Sequence, residues 1–197
     1  MGLFDFFKRN KQIKTEQTKT AKPSEEQILF TETVLVILGP EIEKFGFNRH
    51  RTETKEYSSV IIWRRENQYI KVDSTTYPTD YPFFYSLVFG EGDSENFFEY
   101  DWNGASLTCF INKLEDVKSF EPDFPTKDNM KNSITQTLID LQKYGQTFLN
   151  NDLTLFYQIR SDINKSREPY KIHSPDKDGN YKTTYEPISV EQKKKYS

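Results

Sequence analysis

The residue types that most often carry chemistry are scarce in this chain, and their spacing fits no common site. Cys109 is the single cysteine, so no disulfide can form within the chain and no thiolate cluster can hold a metal. His50 and His173 are too few for the common zinc ligand sets, and the 8 glycines are too scattered to form a phosphate-binding loop. We expect surface histidines and a small buried cysteine on a strand. The pattern predicts neither a metalloenzyme nor a nucleotide-binding enzyme, and no cofactor.

One polar segment, from Asp176 to Asn180, resembles part of a calcium-binding loop. A complete loop needs a bidentate glutamate at its last position and a helix on each side. With Ser174 as the first position, Tyr185 falls at the last one and Glu186 comes one residue late. We therefore interpret the segment as the polar turn of a hairpin, and no metal site is expected.

Acidic residues are concentrated between Glu91 and Asp123, where nine carboxylates are opposed by two lysines. Aromatic residues such as Phe98, Tyr100 and Trp102 are interleaved with them. A surface of this kind suits a basic protein partner, because charge raises the rate of encounter and rings supply anchoring contacts. The predicted partner-binding residues are Glu91, Asp93, Glu95, Glu99 and Asp101.

Two other interpretations of these acids stay open. They can form the solvated face of a sheet whose aromatic residues point inward. They can also form a general acid and base pair, but no nucleophile, histidine or oxyanion donor accompanies them. The sequence therefore carries no catalytic signature, and we expect that the protein is not an enzyme.

The first 23 residues differ from the rest in composition and charge. Six basic residues against two acidic ones give them a net charge of +4, so within a total of −3 residues 24–197 carry −7. The segment predicted to contact an anionic membrane weakly consists of Leu3, Phe4, Phe6, Phe7, Lys8 and Arg9. The alternative is that its rings pack on the protein's own body or on a partner. The negative charge of residues 24–197 disfavours nucleic-acid binding.

Hydrophobic spacing and capping signals predict a first helix that begins after Ser24. The Ser24 hydroxyl can cap the helix, and Gln27 can reach back to it as a capping box. Pro40 should kink this helix or split it after Leu38, because proline lacks an amide donor and clashes with the preceding turn. Gly46 would end it. The apolar residues of its inner face would be Ile28, Phe30, Val34, Leu35, Ile37, Leu38, Ile42 and Phe45.

The middle of the chain is rich in β-branched and aromatic residues and predicts antiparallel strands. The predicted strands are 57–65, 68–76, 83–89, 98–102 and 105–111. Asn103-Gly104 would form a type I′ turn between the last two, with Glu99 and Asp101 facing solvent. We therefore predict an α+β fold: a single antiparallel sheet of about five strands, with helices packed on one face, preceded by a flexible basic arm.

The C-terminal part predicts two helices and a hairpin. The inner face of the first helix would hold Ile134, Leu138, Leu141, Tyr144 and Phe148, and that of the second Leu155, Phe156, Ile159 and Ile163. A small hairpin would turn at Asp178-Gly179, and the lysines at 193–195 would lie in a frayed end. The predicted organisation is an arm and linker (1–23), an α+β domain (24–169) and a C-terminal hairpin with its tail (170–197).

The general layout of a capped helix, Gly46-Phe47, aromatic antiparallel strands and then helices is similar to that of small bacterial immunity proteins, which neutralise toxins. The resemblance implies a protein-binding module whose acidic face occludes a basic toxin or another cationic partner. The alternatives are a peripheral membrane protein, anchored by residues 1–9 and tethered by residues 10–23, and an enzyme of unrecognised class. Neither a secretory signal nor a long apolar run is found, which predicts a cytoplasmic protein. An arm that binds lipid would bring it to the inner membrane face.

Overall fold

The computed structural model describes residues 22–76, 84–93, 101–116 and 128–197. The first helix, α1 (Glu25–Ile37), begins where the sequence predicted, because the Ser24 hydroxyl accepts a hydrogen bond from the Gln27 amide at 3.2 Å. The predicted capping box is wrong in its second half. The Gln27 side chain accepts a hydrogen bond from the Ser59 hydroxyl at 2.7 Å and donates one to Thr76 Oγ1 at 3.0 Å. It therefore ties α1 to the sheet and does not return to its own helix end.

The helical segment divides near Pro40, as the sequence predicted, and α2 (Gly39–Lys44) follows α1. After α2, Gly46 has a φ of +80°, a conformation that glycine adopts without strain. The inner face of α1 is rotated from the predicted one, because Ile28 remains 42% exposed. The buried apolar residues of this segment are Phe30 and Val34 in α1, Leu38 between the two helices and Ile42 in α2.

The main sheet has five antiparallel strands that lie in chain order. They are β1 (Asn48–Thr54), β2 (Ser58–Arg65), β3 (Gln68–Thr75), β4 (Phe84–Glu91) and β5 (Gly104–Ser106). The strands β2, β3 and β4 match the predicted ranges to within two residues at each end. The sequence pattern does not reveal β1, because all seven of its residues are polar. The α+β class and the antiparallel sheet are confirmed.

The hairpin predicted around Asn103-Gly104 is wrong. Residues 101–103 are helical, and the three residues of β5 pair with β4. Asn103 does not form a turn, because its buried side chain accepts a hydrogen bond from the Tyr69 hydroxyl at 2.9 Å and donates one to the Glu91 carbonyl. The amide therefore connects β3 to the end of β4.

The segment predicted as the last strand is mostly a helix, α3 (Leu107–Leu114). Its buried residues Leu107, Phe110 and Ile111 recur at helical spacing, so a helix and not a strand brings them to one side. Cys109 consequently lies on this helix and is partly buried, not on a strand as the sequence predicted.

Three further helices pack on the face of the sheet that α1, α2 and α3 also cover. They are α4 (Met130–Tyr144), α5 (Gln146–Leu149) and α6 (Thr154–Ser166). The sequence predicted α4 and α5 as one helix, but the chain breaks at Gly145. A Cβ atom at this position would lie 2.8 Å from the Leu141 carbonyl oxygen and 3.0 Å from the ring of Phe89. The break therefore occurs where the core ring of β4 packs against the helix backbone.

On the helix-covered face of the sheet, two apolar rows lie between two polar rows. Cross-strand partners share a face. The apolar rows are Ile61–Val72–Leu87 and Trp63–Ile70–Phe89–Ala105, and the polar rows are Ser59–Ser74–Tyr85 and Arg65–Gln68–Glu91. The apolar rows form one buried cluster with residues of α1 to α6. Gln27 bonds into one polar row, and the C-terminal ends of α2 and α5 meet the other.

On the opposite face of the sheet, the ring of Tyr69 lies over Gly90. The two residues are cross-strand partners, and a Cβ atom at position 90 would come within 2.0 Å of the Tyr69 Cζ atom. The Tyr69 ring can therefore occupy this space only because Gly90 has no side chain.

The C-terminal hairpin consists of β6 (Lys171–Pro175) and β7 (Tyr181–Tyr185), as the sequence predicted, and every residue in both strands is exposed. The following residues do not fray but form α7 (Pro187–Tyr196). This correction has a packing reason, since the Tyr196 ring lies 4.8 Å from the Arg160 guanidinium and its carbonyl accepts a hydrogen bond from Asn164 at 3.2 Å.

Candidate functional site

Two of the five predicted partner-binding acids form pairs within the chain. The first is Glu91, at the end of β4, whose carboxylate lies 3.3 Å from Arg160 Nη1 and accepts a hydrogen bond from the Tyr157 hydroxyl at 2.9 Å. The Arg160 guanidinium also lies 5.1 Å from the ring of Phe156. Burial, together with the hydrogen bond to Glu91, raises the pKa of Tyr157. Glu91 therefore fastens α6 to the sheet.

The second paired acid is Asp101, which binds Arg167 and accepts a hydrogen bond from the Tyr170 hydroxyl. The Arg167 guanidinium also lies 5.1 Å from the ring of the buried Trp102. About a quarter of each charged side chain stays exposed. Asp101 thus links the segment around β5 to the chain that leads into β6.

The remaining predicted site residues are either exposed or outside the described part. Asp93 is exposed, and its backbone carbonyl accepts a hydrogen bond from Arg64 at 3.3 Å. Glu95 and Glu99 lie outside the described residues, as do the predicted membrane-contact residues Leu3, Phe4, Phe6, Phe7, Lys8 and Arg9. Among the described residues, no helix has the length and apolar character that a membrane span requires.

A candidate interaction surface lies on the outer side of β1, at the edge of the main sheet, and we call it the β1 edge (residues 48–54). β1 is the first strand of the sheet and, among the described residues, pairs on one side only, with β2. Five of its seven residues are exposed. An edge strand directs alternate backbone N–H and C=O groups away from its sheet, and these groups can pair with another chain.

A depression of about 370 Å³ opens beside this edge. Its lining residues are Leu35, Arg49, His50, Arg51 and Thr52. Leu35 belongs to α1, which runs along β1 and touches its far end through a hydrogen bond between Thr31 and Thr54 at 2.9 Å. The depression therefore has one apolar side, from the helix, and one polar and basic side, from the strand.

A β-bulge at His50 determines which face of the sheet each arginine of the edge lies on. Arg49 pairs across with Trp63, and Arg51 pairs with Ile62, so the register shifts by one residue between them. Trp63 belongs to the helix-covered face and Ile62 to the opposite face. Two arginines that would share a face in a regular strand thus lie on opposite faces of this edge.

The charges along β1 are only partly balanced within the chain. Glu53 forms ion pairs with Arg51 at 2.5 Å and with Lys55 at 2.8 Å. The hydrogen bond from Lys55 makes the largest contribution to lowering the pKa of Glu53, and the hydrogen bond from Arg51 acts in the same direction. Arg49 and His50 have no ion-pair or hydrogen-bond partner among the described side chains. The edge therefore presents a net positive charge.

The other chemistry-bearing residues form no catalytic arrangement in the described part of the chain. Within that part, no three histidine, cysteine or acidic residues lie close enough to hold a metal. Cys109 Sγ lies 3.2 Å from the Ser106 hydroxyl, without a base. In the predicted calcium-like segment, Asp176 Oδ1 accepts hydrogen bonds from the Asp178 and Asn180 amides, at 2.9 and 2.8 Å. The carboxylate thus closes a turn, as the hairpin interpretation holds.

Comparison of the chain with protein-family models, with curated proteins and with solved structures finds no match. The function is therefore argued from the geometry of the β1 edge. Sequence reasoning missed this site and interpreted His50 as a surface residue. The available signal was the run of Arg49, His50 and Arg51 two residues after Phe47, because charged side chains are typical of edge strands.

Proposed function

We propose that the protein is a protein-binding module that accepts an extended segment of its partner along β1, as a sixth strand of the sheet. The observation that carries this proposal is the open hydrogen-bonding edge of β1 beside a depression. In such complexes, backbone hydrogen bonds supply affinity and the side chains beside the edge supply specificity.

The position of β1 in the fold supports this role. It pairs with β2 through six residues, and the Thr31–Thr54 hydrogen bond fixes it to α1. A strand that is already ordered loses little conformational entropy when a partner segment docks. The exposed charges of β1 also oppose unspecific pairing with uncharged strands, which would leave the arginines facing apolar groups.

Selection of peptides followed by amide hydrogen exchange tests the proposal. Random peptides are selected for binding to the full chain, and exchange is then measured with and without each ligand. The expected result is protection of amides in β1. The β6–β7 hairpin is an internal control, because it is also exposed and has open strand edges. Ligands that protect the hairpin or α4 instead of β1 would contradict the proposal.

The two hypotheses drawn from the sequence remain proposals for Asp93 and for residues outside the described part of the chain. A cationic partner would have to bind through Asp93, Glu95 and Glu99, since Glu91 and Asp101 hold other parts of the chain. We further infer a cytoplasmic module whose residues 1–9 contact the inner membrane face. Liposome sedimentation at low and high salt tests this contact, with Phe4 and Phe7 changed to alanine. Equal partitioning of wild type and variant would contradict it.

A further inference from the structure

We propose that the β1 edge selects an acidic partner segment, in which two adjacent carboxylates are bound by Arg49 and Arg51 from opposite faces of the sheet. This inference rests on the proposed function, because it assigns the chemistry of the segment that pairs with β1.

Charge complementarity identifies the class of partner. The edge carries Arg49, His50 and Arg51 in sequence, and Glu53 is the one carboxylate on the strand. Arg51 shares that carboxylate with Lys55, whereas Arg49 has no ion-pair partner among the described residues. A guanidinium offers planar pairs of donors that suit carboxylates. A carboxylate-bearing segment therefore fits the edge better than a basic or an apolar one.

The bulge sets the spacing of the two carboxylates. Arg49 and Arg51 stand opposite Trp63 and Ile62, which are adjacent residues on opposite faces of β2. A strand on the outer side of β1 that follows the same register also meets the two arginines with adjacent residues. Adjacent residues of a strand point to opposite faces. The edge should thus prefer two acids in succession over two acids separated by one residue.

A second copy of the chain fits the edge less well. Antiparallel pairing of two β1 strands about Arg51 would place the Arg51 side chains of both copies opposite each other. Like charges directly opposite each other destabilise a strand pair. We therefore assign the edge to a different, acidic segment.

Binding of designed peptides to the full chain tests the inference. Three β-prone octapeptides are compared by calorimetry: one with two adjacent central glutamates, one with glutamines in their place, and one with two glutamates separated by a threonine. The adjacent-glutamate peptide is expected to bind about tenfold more tightly than the glutamine peptide, from two arginine–carboxylate pairs at the strength of exposed pairs. The peptide with the two separated glutamates should bind about threefold more tightly than the glutamine peptide, because only one arginine–carboxylate pair can form.

Variants of the protein assign the effect to the two arginines. Arg49→Gln and Arg51→Gln should each remove about half of the glutamate preference on a logarithmic scale, and the double variant should remove all of it. Lys131→Gln is the matched control, because Lys131 is an exposed cation on α4, away from β1. This control should keep the full preference.

The outcomes separate the two proposals. Equal binding of the glutamate and glutamine peptides, both with protection of β1 amides, overturns the carboxylate inference and leaves strand addition intact. Binding of the spaced peptide as tight as that of the adjacent one overturns the assignment of the arginines to opposite faces. Protection by the glutamate peptide away from β1, or no binding by any peptide at millimolar concentration, overturns both. If the chain forms a stoichiometric dimer instead of binding a peptide, a second copy occupies the edge.

Discussion

The Arg65 guanidinium lies where two helices end above the sheet. It donates hydrogen bonds to the carbonyl oxygens of Phe45 and Leu149, each at 2.7 Å, and to that of Phe148 at 3.2 Å. It also donates to the Gln68 carboxamide at 3.1 and 2.6 Å. The last carbonyls of a helix have no partner within the helix. One side chain therefore satisfies carbonyl groups at the ends of α2 and α5.

Replacement of Arg65 should destabilise the protein strongly. Arg65→Ala removes charge-assisted hydrogen bonds and leaves partly buried carbonyls unpaired, so we expect a loss of about 2–4 kcal/mol. Arg65→Lys should recover less than half of this loss, because an ammonium cannot reach four acceptors in a plane. Urea denaturation measures both values. Arg51→Ala, at an exposed arginine, is the control and should change stability by less than about 0.5 kcal/mol.

Charge reversal distinguishes the acids that hold the fold from those that do not. Asp101→Lys places a cation beside Arg167 and removes the acceptor for Tyr170, so we expect a loss of about 1–3 kcal/mol, reduced by partial exposure of the pair. Asp93→Lys should leave the midpoint of thermal unfolding within about a degree of wild type. Equal stability of the two variants would show that the Asp101 pair contributes nothing to the fold.

At the scale of elements, the two sheets differ in how well they are protected. β2 and β3 lie inside a five-stranded sheet over a buried core. Within the part of the chain that the structure describes, β6 and β7 pair only with each other, and both are exposed throughout. A two-stranded hairpin is marginally stable without further packing. It is held to the rest of the chain at its base, where the Tyr170 hydroxyl donates a hydrogen bond to Asp101 and the Tyr170 amide donates one to the Ser189 hydroxyl at 3.0 Å.

Hydrogen exchange should show this difference directly. Amides of β6 and β7 are expected to exchange at least about a hundredfold faster than those of β2 and β3, because the hairpin can open without unfolding the core. The measurement is mass spectrometry of exchanged fragments at neutral pH. Protection of the hairpin equal to that of the core strands would mean that it opens only with the whole domain.

The elements recovered from the sequence were those with a clear local pattern. Helix α1 has a capping serine, and β2 and β3 combine β-branched residues with a turn at Glu66, where φ is +51°. The failures arose where long-range contacts decide the structure. Asn103-Gly104 has the composition of a hairpin turn, but the contact with Tyr69 places Asn103 in the interior. The candidate site was missed for the same reason: β1 has no apolar pattern, and pairing with β2 makes it a strand.

At the scale of the whole molecule, burial of Tyr85 makes stability depend on alkaline pH. Its hydroxyl lies 2.6 Å from Thr137 Oγ1 and donates to the Ser133 carbonyl at 3.2 Å. Burial raises the pKa of Tyr85 above its ordinary value of 10.0, and the nearby Asp140 acts in the same direction. The unfolded chain therefore releases this proton at a lower pH than the folded protein does. The contribution of Tyr85 to the free energy of unfolding is complete below pH 10 and is lost as the pH rises through the higher folded-state pKa.

The difference in stability between wild type and Tyr85→Phe isolates this effect from the titration of the other tyrosines. At pH 7 the variant should be less stable by about 1 kcal/mol, because it lacks the hydroxyl hydrogen bonds. Above pH 10 the stability of wild type should decrease more steeply, so that the two curves converge. Urea midpoints measured between pH 7 and pH 11 give both curves. Parallel curves over this range would show that Tyr85 does not couple folding to pH.

The Tyr69 ring above Gly90 has a consequence for how this fold can diverge. Any side chain at position 90 must displace the ring, so a substitution there is acceptable only after residue 69 has become small. The two positions should therefore covary among descendants of this sequence, with glycine retained wherever residue 69 is aromatic. Laboratory mutants should show the same epistasis: Gly90→Ala should cost far less stability in a Tyr69→Ala background than in wild type.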